Sequence, residues 1–313
     1  MVTQGARSTK EGGERSDVSG SSRRRRQAVI PYLFLAPFLI LFATFLILPL
    51  AYALVISVFA DRLVGGNVFV GFENYTQALG DPAFWDGVRR MIYFGIFQVP
   101  VMLGLALVFA LLLDSGAAWF TTVFRLGFFI PYAVPSVVAA LIWGYLYGPT
   151  FGPFSQIADY LGLQAPAFLS DAWMLPSIAN IVTWEFTGYN MIIMYAALQA
   201  VPREVRDAGA VDGAKPWQIA LYIRIPLIFP AILLTGVFSI IGTFQLFNEP
   251  RILQASAPGV ITNGYTPNLY AYSLAFVNQE YNYSAAVSFA LGAVVVVFSY
   301  VFMLVTNRRE VGA

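Results

Sequence analysis

The 313-residue sequence contains no cysteine and no histidine, and only 11% of it is charged. Without cysteine there is no disulfide framework, no thiolate nucleophile and no zinc site of the Cys/His type. Without histidine no catalytic triad built on an imidazole base exists. The formal net charge of +1 gives no global attraction to nucleic acid. An ordinary soluble domain carries about 25% charged residues. Here 58% of residues are hydrophobic, and mean hydropathy is +0.68, so the default expectation is a chain embedded in a bilayer. Catalytic residues, a resident cofactor and a metal site are not expected.

Six stretches are long and apolar enough to cross a membrane, which needs about 20 residues each. They run Ile30–Phe59, Met91–Leu113, Leu126–Tyr147, Leu175–Val201, Ile225–Phe247 and Ser284–Thr306. None shows the period-2 alternation of a barrel strand, so the expected fold is all-α and polytopic, with six transmembrane helices. Pro49, Pro100, Pro131 and Pro135 lie in or beside these spans, where proline kinks are tolerated.

Residues 1–27 form a separate region, expected to be a disordered basic cytoplasmic tail. It ends in Arg23-Arg24-Arg25-Arg26, directly before the first apolar stretch. The arginine run reads as a topogenic cluster, with lipid or nucleic-acid contact as the alternative. Residues 28–307 make the six-helix domain, and 308–313 a short cytoplasmic C-terminal tail. With the N-terminus inside, every Lys and Arg except Arg62, Arg89, Arg90 and Arg251 falls on the cytoplasmic side. That bias places both termini in the cytoplasm. Phe69, Phe72, Tyr75, Phe84 and Trp85, after the first span, read as an interfacial aromatic belt.

The loop between spans four and five stands apart. Pro202 to Trp217 gathers three acids (Glu204, Asp207, Asp212) and three bases (Arg203, Arg206, Lys215) in a chain otherwise poor in charge. Pro202 suits a first helical position, Gly213 the left-handed residue after a helix end, and Pro216 the start of a second helix. A short helix parallel to the membrane follows. Its small residues Ala208, Gly209 and Ala210 are expected to offer a shallow face to another protein.

Within the spans, Glu185 is the one deeply placed carboxylate, and such a group must face an aqueous cavity, be paired or be neutral. Val182, Glu185, Phe186 and Tyr189 share a helix face by their i, i+3, i+4, i+7 spacing, with Asn190 and Thr187 flanking it. Phe238, Ile241, Gly242 and Gln245 share another in span five, with Thr243 and Asn248 nearby. No P-loop, nicotinamide-binding or kinase motif occurs, so energy for uphill transport must come from a bound ATPase or an ion gradient. An ion-coupled secondary transporter using Glu185 is the alternative to an ATPase-driven one. An intramembrane enzyme would need histidine, cysteine or an acid pair, and the sequence offers no partner acid for Glu185 short of another subunit.

Asp207-Ala208-Gly209, three residues, Gly213, nine residues, then Ile223-Arg224-Ile225-Pro226 resembles the EAA loop of ABC-importer permease subunits. Asp replaces the usual Glu, Gly the second Ala, and Ile the Leu. Val211-Asp212-Gly213-Ala214, Phe129-Ile130-Pro131-Tyr132 with Trp143, and Phe247-Asn248-Glu249-Pro250 are similar to the carbohydrate-uptake branch. So are Ala275-Phe276 and Tyr281 through Ala286.

The resemblance implies a type I permease fold and a coupling helix that docks on a cytoplasmic ATPase. Glu204, Asp207, Ala208, Gly209, Asp212, Gly213, Ile223 and Pro226 belong to that coupling region. It also implies a carbohydrate pathway lined by Glu185, Phe186, Tyr189, Asn190, Gly242, Gln245 and Asn248, with Glu185 either touching substrate or pairing as a structural or gating residue. The implied partners are a second permease, two ATPase subunits, an external solute-binding protein, the sugar and the lipid of a bacterial cell membrane.

Overall fold

The computed structural model describes residues 31–62, 64–115 and 120–307. The expected tails at 1–27 and 308–313, with the arginine run, lie outside the described residues. Two compact units divide the chain near residue 55. The first holds helix α1, Pro31–Ile56, which includes a π-helical stretch at Ala43–Ile47. Its large apolar side chains, Phe34, Phe38, Phe45 and Tyr52 among them, are exposed around the whole helix. Such a surface is matched to lipid or to another apolar helix rather than to water.

The second unit opens with a hairpin, β1 (Phe59–Arg62) and β2 (Gly66–Phe69), paired antiparallel from Phe59↔Phe69 to Arg62↔Gly66. The remaining elements are α2 (Glu73–Gly80), α3 (Pro82–Asp114), α4 (Thr121–Ala133), α5 (Ser136–Leu146), α6 (Pro153–Tyr160) and α7 (Asp171–Gln199). Next come α8 (Arg203–Val211), α9 (Pro216–Ile219), a π-helical turn at Ala220–Arg224 and the single turn α10 (Ile225–Leu227). The fold closes with α11 (Phe229–Phe244), α12 (Asn248–Leu253), α13 (Pro267–Phe276) and α14 (Tyr281–Asn307). Four helical segments among the described residues are long and apolar enough to cross a membrane: Pro31–Ile56, Pro82–Asp114, Phe229–Leu253 and Tyr281–Thr306.

The third expected span, Leu126–Tyr147, is not one helix. Val134-Pro135 divides it into α4 and α5, which meet at 94°. The residue before a proline is steered away from helical dihedrals, and Val134 is extended at ψ 127°. Span five is also interrupted, at Gln245-Leu246-Phe247, between α11 and α12.

Two buried apolar clusters set the helix directions. One joins Phe84, Val88 and Met91 of α3 to Met174, Ile178 and Ile181 of α7. The other joins Ala106, Ala110 and Leu113 to Met191, Met194 and Leu198. Helices α3 and α7 therefore run in the same sense, and the bent pair between them returns the chain to the starting face. Gly95 lies against Thr243 and Leu103 against Gly236, so α11 runs opposite to α3. Gly236 meets Phe302, and Phe244 packs on Phe298 at 5.3 Å, so α14 reverses again.

The aromatic belt needs one correction. Phe69, Phe72 and Trp85 are exposed, but Phe84 is fully buried in the first cluster, because it points inward from the first turn of α3.

Candidate functional site

The cavity is built where the two helix breaks meet. At Gln245–Phe247 the α11 ladder stops, and freed carbonyls inside a bilayer must find other donors. Asn268 Nδ2 donates to the Gln245 carbonyl at 3.0 Å, and Thr266 Oγ1 to that of Leu246 at 3.0 Å. Asn248 Nδ2 donates to Ser136 Oγ at 2.7 Å, which ties the start of α12 to the start of α5. The opening beside these breaks has a volume of about 290 Å³, at the lower edge of ordinary ligand pockets.

Phe186, Tyr189, Asn190, Gly242, Gln245 and Asn248, six of the pathway residues expected from the sequence, line this cavity. Tyr189 stacks on Tyr132 of α4 at 4.6 Å, and Phe186 meets the same ring edge-on at 5.8 Å. Gln98 of α3 donates to Thr183 Oγ1 of α7 at 3.4 Å, and Asn190 Nδ2 donates to the Phe186 carbonyl at 3.0 Å. The lining thus mixes aromatic rings with side-chain amides and holds no Lys or Arg.

Glu185 does not line the opening. It is 3% exposed, and its carboxyl lies beside that of Glu249, itself 5% exposed and on the cavity wall. The sequence reading found no partner acid; α12 supplies one from the same chain. Two touching carboxyls attract only when they hold a proton between them. Glu185 Oε2 has no hydrogen-bond partner among the described residues. Gln98 was also missed, though a lone amide in the apolar run Met91–Leu113 is a signal in itself.

The helix after span four forms as its residues dictate. Pro202 stands at the N-cap of α8 and Asp212 at its C-cap. Gly213 follows at φ +79°, the left-handed region that other residues enter at a cost of about 1–2 kcal/mol. Ala214 N–H donates to the Gly209 carbonyl and Gly213 N–H to that of Ala210, both near 3 Å, closing a Schellman motif. Pro216 then opens α9.

Glu204, Asp207, Ala208, Asp212 and Pro226 are exposed, and Ile223 is half-buried. Gly209 departs from expectation, for it is buried and faces inward. A Cβ added to it would lie 2.9 Å from Ile223 Cδ1 and 3.5 Å from Ile219 Cγ1. The small residue therefore seats α8 on its own chain rather than opening a face to a partner.

At the opposite end, Asp81 caps α3 by accepting from Ala83 N–H at 2.9 Å. The same carboxylate accepts from the Tyr283 hydroxyl at 2.9 Å and from that of Tyr270. Burial alone would raise its pKa, but the hydrogen bonds from Tyr270, Ala83 and Tyr283 outweigh it and hold the group below the usual carboxylate range.

Broken helices around a polar opening, between helices fit for a bilayer, define a multi-pass membrane protein of the transport class. Residues 102–309 match the family described as the binding-protein-dependent transport system inner membrane component. The chain belongs to that family. It is 30% identical over 295 residues to the lactose transport system permease protein LacF of Rhizobium radiobacter, covering 93% of this chain and 99% of that one. It is 28% identical to the arabinooligosaccharides transport system permease protein AraP of Halalkalibacterium halodurans, covering 91% and 90%. Its fold superposes with a TM-score of 0.80 on a chain of a bacterial ABC transporter involved in the import of the acidic polysaccharide alginate. That match has 18% identity and covers 92% of this chain and 99% of the other.

Proposed function

We propose that this chain is a permease subunit of an ATP-driven sugar importer in a bacterial cell membrane, contributing half of the translocation pathway. The observation that carries the reading is the cavity. Phe186, Tyr189 and Phe247 offer apolar faces suited to the C–H side of a sugar ring, and Gln98, Asn190, Gln245 and Asn248 offer amides suited to its hydroxyls. No cation lines the opening, which favours an uncharged sugar over an anionic one. Membership of a family dependent on binding proteins supports ATP coupling over ion coupling through Glu185.

On this reading residues 28–307 make six crossings, with the tails at 1–27 and 308–313 cytoplasmic. The alternating directions of α3, the α4–α5 pair, α7, α11 and α14 agree with that count. Helix α8 then lies at the cytoplasmic face and docks on an ATPase through Glu204, Asp207 and Asp212. A second permease, two ATPase subunits and an external solute-binding protein complete the importer.

The experiment is uptake of labelled disaccharides, oligosaccharides and uronate oligomers by cells lacking and regaining this subunit. Uptake of at least one neutral sugar should depend on the subunit and cease when ATP is depleted. Uptake that follows the proton gradient with ATP depleted, or that is confined to uronates, refutes the proposal.

A further inference from the structure

The cytoplasmic ends of three helical segments converge on one buried ion pair. Arg224, the last residue of the π-helical turn, pairs with Asp114, the last residue of α3. Their side chains are only 11% and 5% exposed. Gln199, the last residue of α7, donates from Nε2 to the other oxygen of Asp114. Directly beneath lies the second apolar cluster, in which Leu113 and Leu198 neighbour Asp114 and Gln199 in sequence and Ile228 lies one helical turn after Arg224.

We propose that Asp114, Arg224 and Gln199 form a transmission clasp that carries displacement of α8 to the helices walling the cavity. The proposal rests on the reading of α8 as an ATPase dock. A push on α8 enters the π-helical turn through the Gly209–Ile223 contact, and Arg224 ends that turn. From Asp114, α3 runs twelve residues back to Met102 on the cavity wall, about 18 Å at 1.5 Å per residue. From Gln199, α7 runs nine residues back to Asn190, about 14 Å. Both helices are continuous over those lengths, so a displacement at the clasp reaches the cavity as rigid motion.

An ion pair suits this role because it adds a directional joint between named helix ends to the apolar packing beneath it. A buried charge separated from its partner is left uncompensated, which makes the joint resist parting. The three are positioning residues and touch no substrate.

The absence of cysteine from this chain provides the assay. A thiol introduced by Gly242→Cys faces open space in the cavity, and its rate of reaction with N-ethylmaleimide reports the conformation there. The importer is purified through this chain with its partner subunits, and labelling is compared with and without ATP plus vanadate.

In the Gly242→Cys background ATP and vanadate should change the labelling rate at least about fivefold. Adding Asp114→Arg or Arg224→Asp should shrink the change below about twofold while the ATPase subunits still co-purify and hydrolyse ATP. Combining the two should restore it. If a reversal does not fold, Asp114→Asn keeps the acceptor for Gln199 and removes only the charge; it should assemble and still lose most of the response. Single variants that keep the full response, or an exchange that restores nothing, overturn the clasp. Loss of response together with loss of the bound ATPase overturns it too, by reducing the pair to a fold element. A background that never responds to ATP overturns the proposal along with the functional reading beneath it.

Discussion

Gly188→Ala is the substitution whose effect follows most directly from geometry. Gly188 lies where α7 crosses α4, and a Cβ there would fall deep inside the contact distance of the Phe128 carbonyl oxygen and 3.0 Å from Phe129 N. A carbon beside a carbonyl oxygen normally keeps about 3.3 Å or more. The obstacle is backbone, so no rotamer change relieves it, and α4 must retreat from α7 by more than an ångström. That retreat also separates the Tyr132–Tyr189 stack, now at 4.6 Å.

Overpacking costs about 1–3 kcal/mol, and a backbone obstacle puts this case at the upper end. Loss of an aromatic stack adds about 1 kcal/mol, and the better helix propensity of Ala returns about 1. The net loss is roughly 3 kcal/mol, or about 5 °C in melting temperature for a chain of this length. Gly209→Ala is the control. Its Cβ would be crowded only by the far end of Ile223, at 2.9 Å, and that side chain can rotate away, while Ile219 at 3.5 Å is in ordinary contact. Its effect should stay within about 1 kcal/mol. Melting of the detergent-purified variants by intrinsic fluorescence decides between them. A Gly188→Ala protein that melts within about 2 °C of the parent, or a Gly209→Ala protein that falls as far, would refute the reasoning.

Three further outcomes are expected. Gly213→Val should strain the Schellman turn by about 1–2 kcal/mol and reduce the ATPase co-purifying with the chain, whereas Gly213→Asn should retain most of it; equal retention by both would contradict this. For Asp81, the depressed folded pKa means a stabilisation present above the unfolded value near 4 and lost as pH falls through the lower folded value. Asp81→Asn should therefore cost about 1–2 kcal/mol at neutral pH and flatten the acid limb of a melting-temperature profile; parallel limbs would count against the hydrogen bonds from Tyr270 and Tyr283. Glu249→Leu should destabilise by about 1–3 kcal/mol by stranding the Glu185 carboxyl. Replacing both acids with Leu should recover part of that loss, and a double variant that melts below both singles would contradict a self-satisfied pair.

Features that depend on local chemistry could be read from the sequence. Pro202, Gly213 and Pro216 mark the ends of two helices because ring closure and a missing Cβ act within one residue. The face carrying Phe186, Tyr189 and Asn190 was legible because helix periodicity alone brings those side chains together. The breaks at Val134-Pro135 and Gln245–Phe247 were not, because hydropathy continues through both. A proline in an apolar run predicts a kink of unstated size, and the 94° bend depends on how α5 packs against α7 and α12. Glu249 was quoted only as part of a motif, since meeting Glu185 requires α12 to fold back against α7. The inward turn of Gly209 was hidden for the same reason: its neighbour Ile223 lies beyond the Schellman turn, and sequence spacing does not orient one helix on the next.

The scarcity of charge acquires a spatial meaning in the fold. Three polar groups stand out along the helices: Asp81 with Tyr270 and Tyr283 at one end, Gln98, Glu185, Asn190 and Glu249 in the middle, and Asp114, Gln199 and Arg224 at the other. The two apolar clusters fill the intervals between them. Close-packed apolar side chains resist relative displacement, so each interval behaves as a solid block. The middle layer differs, because two helices are already interrupted there and their backbone groups are held by Asn268, Thr266 and the Asn248–Ser136 pair. Side-chain hydrogen bonds of this kind can be exchanged for bonds to water or to sugar hydroxyls at small net cost, about 1 kcal/mol each. An apolar block offers no such exchange. If the two blocks rock against one another, the layer where bonds can be traded most cheaply is the layer that walls the cavity, so opening the pathway and handling a hydroxyl-rich solute draw on the same few side chains.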